Sequence, residues 1–188
     1  MNTNKKLHNI VVAGLLCAIG IMVPSFMPRI VLGPMSFTLA SHVAIFIAMF
    51  ISPVVAVAVS IGTTIGFFMT APPIIALRAA SHLIFAIVGA MIIKKKPSIM
   101  KHIFSSIVFG LAIGILHAVS EIVVVTPVFL NGSLFSAEQL QNGYVMSVLV
   151  LVGLGTLIHS MIDYVISLVI WKPLEMTVYK NKAVSENV

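Results

Sequence analysis

From Ser36 to Met69 the chain carries no Asp, Glu, Lys or Arg. As a single helix this stretch would extend about 51 Å against a hydrocarbon core of about 30 Å. Pro53, near its middle, removes a backbone donor and breaks a helix. Two short membrane spans meeting at Ser52 and Pro53 accommodate the stretch. Other apolar runs recur, each bounded by charge or proline. With 60% apolar residues, 9% charged residues and a mean hydropathy of +1.15, a soluble domain of 188 residues has too much surface to hide that hydrophobicity. The solvent is therefore lipid. At about 20 residues per span the chain allows about six crossings with short connections. No separate soluble catalytic domain fits, which excludes a built-in nucleotide hydrolase.

The sequence thus reads as an all-α integral membrane protein, a single domain over residues 1–188. Its six transmembrane helices are expected at 7–27, 36–51, 53–70, 74–93, 103–125 and 144–171. Lys5 and Lys6 before the apolar run from Ile10 to Val23 imitate a secretory signal, but no small-x-small cleavage site follows, so the run is expected to be retained as the first span. The net charge of +6 reflects basic residues at the ends of apolar runs, where they orient helices in a bilayer, and implies no nucleic-acid partner. Lys5 and Lys6 precede the first span and the Lys94 to Lys101 cluster follows the run ending at Ile93. The positive-inside rule wants both in the cytoplasm, so an even number of crossings separates them and the 36 to 69 stretch contributes two. Both termini are then cytoplasmic. The connections Pro28 to Met35 and Thr126 to Asn142 face out.

Ionisable groups inside spans cost about 2.5 to 3.5 kcal/mol each on insertion scales, so each needs a partner or a water-filled cavity. Arg78 and His82 lie one turn apart on the fourth span, and His117 and Glu121 share that i, i+4 spacing on the fifth. In this topology Arg78 and Glu121 lie about 6 Å below the external surface and the two histidines about 12 Å down. Two roles remain open for the group. It is either a buried Arg78–Glu121 ion pair locking two helices, or a ligand chamber open to the outside beneath two external loops. Arginine suits a carboxylate through its bidentate fork, and a neutral imidazole can donate to or accept from a heteroaromatic ring nitrogen. Tyr144, at the external start of the sixth span, is a candidate ring wall or an interfacial anchor. His159 and Asp163, again i, i+4, are assigned to helix packing. The triplets Ala40-Ser41-His42 and Ala80-Ser81-His82 repeat forty residues apart, which a composition this biased produces by chance.

His42, His82, His117 and His159, with Glu121 and Asp163, are the candidates for a zinc, cobalt or nickel site. Their spacing argues against one, because no His-Glu-x-x-His and no histidine-rich loop occurs. The single cysteine, Cys17, excludes disulfides and a thiolate cage. No metal or cofactor is expected. No Gly-x-Ser-x-Gly or Gly-Asp pair occurs in a span, which leaves an intramembrane enzyme without an obvious nucleophile. In the first span, Gly14 and Ala18 form a small-xxx-small face that permits close helix approach, to a partner or within the chain.

On these features the sequence resembles the substrate-binding S components of energy-coupling factor (ECF) vitamin transporters. The resemblance covers nearly the whole chain. The segments Pro34-Met35-Ser36-Phe37-Thr38-Leu39-Ala40-Ser41-His42, Ile47 to Pro53, Gly62-Thr63-Thr64-Ile65-Gly66 and Arg78-Ala79-Ala80-Ser81-His82 look most like the niacin branch. Pantothenate proteins are its nearest rival. The resemblance implies a vitamin site on the outer side, under the loop between spans one and two, with contacts from spans four to six. Arg78, His82, His117, Glu121 and Tyr144 are its expected residues. It also implies a transmembrane coupling subunit, the ECF T component, and two cytoplasmic ATPases as partners in a bacterial plasma membrane. The first-span face that meets the coupling subunit has two alanines in the family, and Gly14 and Ala18 stand there here. Energy supplied by another chain agrees with the lack of a Gly-x4-Gly-Lys-Ser/Thr loop. The rival from another class is an enzyme acting on a membrane lipid or peptide.

Overall fold

The computed structural model describes residues 3–32, 35–132 and 134–185. Its elements, in order, are α1 (Thr3–Phe26), a hairpin of β1 (Arg29–Leu32) and β2 (Met35–Thr38), α2 (Val43–Ile51), α3 (Pro53–Thr70) and α4 (Pro73–Lys95). After a 3-10 turn at Pro97–Met100 come α5 (Ile103–Leu130), the short α6 (Ala137–Gln141), a π-helical stretch Val145–Leu154 and α7 (Gly155–Ser185). Among the described residues, five helical segments are long and apolar enough to cross a membrane: Lys6–Phe26, Pro53–Thr70, Pro73–Lys95, Ile103–Leu130 and Val145–Glu175.

Local chemistry explains the boundaries. Pro53 and Pro73 open α3 and α4 in the first turn, where the missing N–H has no intrahelical partner to lose. The Ser52 side chain accepts a hydrogen bond from the Val55 N–H at 3.3 Å, capping α3. Lys94 and Lys95 sit in the last turn of α4, where they complement the helix dipole.

One expected span is built differently. The stretch 36–51 does not form a helix throughout. Residues 35–38 pair with β1 in an antiparallel hairpin, with Ile30 opposite Phe37 and Arg29 opposite Thr38, and helix begins only at Val43. Ala40 explains the interruption, because its backbone turns into the left-handed region at φ +67° and no helix passes through such a residue. Val43 through Phe50 are all buried, as expected of a helix apolar on every side and enclosed by protein. Contacts from α1, α3, α4 and α7 surround it. At mid-length Phe46 packs on Phe85 and Tyr164, with ring centroids 5.5 and 5.3 Å away. At its C-terminal end Phe50 meets Trp171 at 5.7 Å. Its N-terminal end delivers His42 to the polar interior.

The outward faces of α1, α3, α5 and the last helix carry exposed large apolar residues, among them Ile10, Leu15, Phe68, Phe104 and Val169, an arrangement suited to lipid. α1 joins the bundle through Ala13, Leu16 and Gly20, which are buried. Gly20 abuts the Thr63 side chain, and Gly62 of α3 abuts the Cys17 sulfur. The opposite edge of α1, with Gly14 and Ala18, is exposed.

Candidate binding site

Two buried carboxylates organise the polar interior. Glu121, on α5 and 1% exposed, receives Arg78 from α4: Nε donates to Oε2 at 3.0 Å and Nη2 lies 2.9 Å from the same oxygen. Thr156 of α7 also donates its hydroxyl to Oε2. The other oxygen, Oε1, lies 3.4 Å from the Nε2 atoms of both His82 and His117. The i, i+4 spacings put each of these pairs on one helix face, and α4 packs on α5 so that the two faces meet. Four of the expected site residues, Arg78, His82, His117 and Glu121, are therefore in direct contact.

Asp163 of α7 is the second hub. Its Oδ1 accepts the Ala40 N–H at 2.8 Å, and its Oδ2 accepts the His42 N–H at 2.9 Å and His42 Nδ1 at 3.0 Å. His159, one turn earlier, places Nε2 2.9 Å from the Ser41 hydroxyl. Non-helical backbone inside a membrane protein must be satisfied from within, and Asp163 does this for the bend between β2 and α2. It also brings His42 between the other histidines, with ring centroids 4.8 Å from His82, 4.8 Å from His117 and 4.9 Å from His159.

Above this group lies a cavity of about 320 Å³ lined by residues of α1, the hairpin, α3, α4 and α5. Arg78, His82, His42 and Glu121 stand on its wall with Ser36, Thr38 and Ser41, while Phe67 and Ile75 supply apolar surface. Arg78 is both the cavity's buried cation and the partner of Glu121.

His117 is 0% exposed and is not among the residues that line the cavity. Tyr144 is elsewhere: its hydroxyl pairs with Thr126 at 3.0 Å, its ring lies 5.8 Å from Phe129, and it does not line the cavity. A Cβ added at Gly14 would meet nothing within 4 Å, so among the described residues Gly14 makes no close contact with another helix. The sequence pointed to His42 only as a candidate metal ligand, and nothing in it singled out Ser41 or Thr156 as a site residue. The repeated Ala-Ser-His triplet was the available signal, since both of its histidines enter the same cluster.

No family model matches the chain, and no solved structure matches it significantly. Over 165 residues it is 39% identical to the niacin transporter NiaX of Lactococcus lactis subsp. cremoris (strain MG1363), a match covering 87% of this chain and 72% of that protein. The chain belongs to the NiaX transporter family. Like other members of a transporter family it is a multi-pass membrane protein, and its long apolar helices agree.

Proposed function

We propose that this protein is the substrate-binding S component of an ECF-type transporter that takes up nicotinic acid. The observation that carries this is the 39% identity to a niacin transporter, joined to a cavity whose wall presents a buried arginine. Nicotinic acid is a small planar heteroaromatic carboxylate. Its carboxylate pairs with Arg78 in a charge-assisted, two-pronged contact, displacing part of the bond to Glu121. Its ring lies against Phe67 and Ile75, and its ring nitrogen faces the hydroxyls and imidazoles of the opposite wall. The relative does not favour pantothenate, and as a transporter it speaks against an enzyme.

In this reading the chain crosses the bacterial plasma membrane six times, with both termini cytoplasmic. The second crossing is made by the segment from Leu39 to Ile51, whose helical part α2 is enclosed by α1, α3, α4 and α7. The contact between Phe50 and Trp171, next to Lys172, supports a cytoplasmic end for α2. The hairpin then covers the cavity from outside. The coupling subunit docks on the Gly14–Ala18 edge of α1, and the two ATPases supply the energy.

Calorimetry of purified protein with nicotinic acid, nicotinamide and pantothenate tests the function. Nicotinic acid should bind, and the uncharged amide much more weakly. A response to pantothenate alone, or to none of the three, would overturn the assignment.

A further inference from the structure

We propose that His42, His82 and His117 form a site for one divalent transition-metal ion of the zinc type beside the cavity, whose wall carries His42 and His82. The three come from α4, α5 and the start of α2, and one ring nitrogen from each lies within 4.8 Å of the other two. Their rings stand edge to face, at interplanar angles of 71°, 72° and 87°, so the three imidazoles converge and do not stack.

Hydrogen bonds decide which nitrogen is left on each ring. A carboxylate only accepts, so His42 Nδ1, 3.0 Å from Asp163 Oδ2, carries the proton and Nε2 keeps its lone pair. His82 turns Nε2 to Glu121 Oε1, and its Nδ1 is buried without a hydrogen-bond partner. His117 spends Nδ1 on the Ser160 hydroxyl at 3.2 Å, and its Nε2 is likewise buried and unpartnered. That Nε2 lies 3.4 Å from Glu121 Oε1 without forming a hydrogen bond to it, and because the Ser160 hydroxyl can donate to Nδ1 or accept from it, the His117 tautomer is free to follow an ion. Among the described residues these two imidazole nitrogens have no hydrogen-bond partner, and in a buried cluster that carries a desolvation cost. An ion between them removes it.

The outer contacts match those of histidine metal sites. Each ligating imidazole there sends its other nitrogen to a carboxylate, a carbonyl or a hydroxyl that fixes the tautomer. Here Asp163, Glu121 and Ser160 fill those places. A tetrahedral ion with bonds of about 2.0 to 2.1 Å sets its ligand atoms about 3.4 Å apart, so the rings close inward by a modest shift. His42, His159 and Asp163 also lie close together, but Asp163 is bonded to His42 and His159 to Ser41, and they serve as the outer support.

Charge balance points the same way and rests on the nicotinate reading. With the imidazoles neutral, as metal ligation requires, the buried charges beside the cavity are Arg78, Glu121 and Asp163, a net of one negative. Arg29 also lines the cavity but is exposed to solvent. A carboxylate ligand would double the buried negative charge in a low dielectric. A divalent cation together with that carboxylate brings the sum to zero.

The test uses full-length protein without a histidine tag, stripped with a chelator and titrated with Zn²⁺ by calorimetry and with Co²⁺ by visible absorption. The expected result is one ion per chain and the intense visible bands of a four-coordinate Co²⁺ site. His82→Gln and His117→Gln should abolish both, and Asp163→Asn, which keeps the packing, should weaken binding about 10- to 100-fold. Exchanging the exposed His8 and His102 should change nothing. No stoichiometric ion in wild type, or one that persists in folded His82→Gln and His117→Gln protein, overturns the site. Nicotinic acid binding to protein that takes up no ion would overturn the metal and leave the transport reading intact. Ion uptake without any response to nicotinic acid would do the reverse.

Discussion

Arg78 sends two nitrogens to a single Glu121 oxygen, so its side-on fork is not fully engaged by a carboxylate and an incoming acid competes with Glu121 for the same guanidinium. Arg78→Ala should weaken nicotinic acid binding by at least about 2 kcal/mol. Arg78→Lys should recover only part of that, because a point charge cannot reproduce the planar contact, and nicotinamide should barely distinguish the three proteins. Equal binding of the acid to wild type and folded Arg78→Ala, measured by calorimetry, would make Arg78 a structural partner of Glu121 alone. Glu121→Gln removes the competing charge, so the acid should bind at least as tightly wherever that variant folds. Asp163 acts on stability instead. Asp163→Ala strands the Ala40 and His42 N–H groups, each costing about 1 to 3 kcal/mol when buried without a partner. Thermal unfolding in detergent should fall well below that of wild type.

Among the elements, the hairpin and α2 depart most from a plain bundle of spanning helices. Ser36 of β2 lines the cavity, while Ser98 lies in the 3-10 turn between α4 and α5. On a Cys17→Ser background, a membrane-impermeant thiol reagent added outside intact cells should label Ser36→Cys, and nicotinic acid should protect it. Ser98→Cys should react only after permeabilisation. External labelling at position 98 would invert the topology. The glycines separate packing faces from free ones. A Cβ at Gly110 of α5 would come 2.3 Å from the Tyr164 ring, whereas one at Gly14 meets nothing. Gly110→Leu should destabilise the protein by about 1 to 3 kcal/mol through overpacking, and Gly14→Leu should leave its melting temperature unchanged.

At the scale of the whole molecule, the proposed binding and coupling surfaces are separate. The ligand groups lie in the interior and on the cavity wall, and the Gly14–Ala18 edge is exposed along α1. Replacing both Gly14 and Ala18 with leucine should leave nicotinic acid binding intact while abolishing uptake and co-purification with the coupling subunit. Uptake that survives both changes would assign the contact to another face.

Membrane residence, the long spans and the pairing of Arg78 with Glu121 were legible in the sequence. Apolar runs of membrane length have no soluble alternative, and i, i+4 spacing fixes which side chains share a helix face. The broken second span was not legible, because a left-handed Ala40 and a four-residue strand leave no mark in so uniformly apolar a stretch. Nor was the reach of Asp163 across more than a hundred residues to Ala40 and His42. Tyr144 shows the same limit from the other side: its place at a span's start said nothing of its azimuth, which turned it toward Thr126 and away from the cavity. Spacing along one helix is local and can be read in one dimension. The meeting of four histidines from four segments depends on how helices rotate and cross, and only tertiary packing decides that.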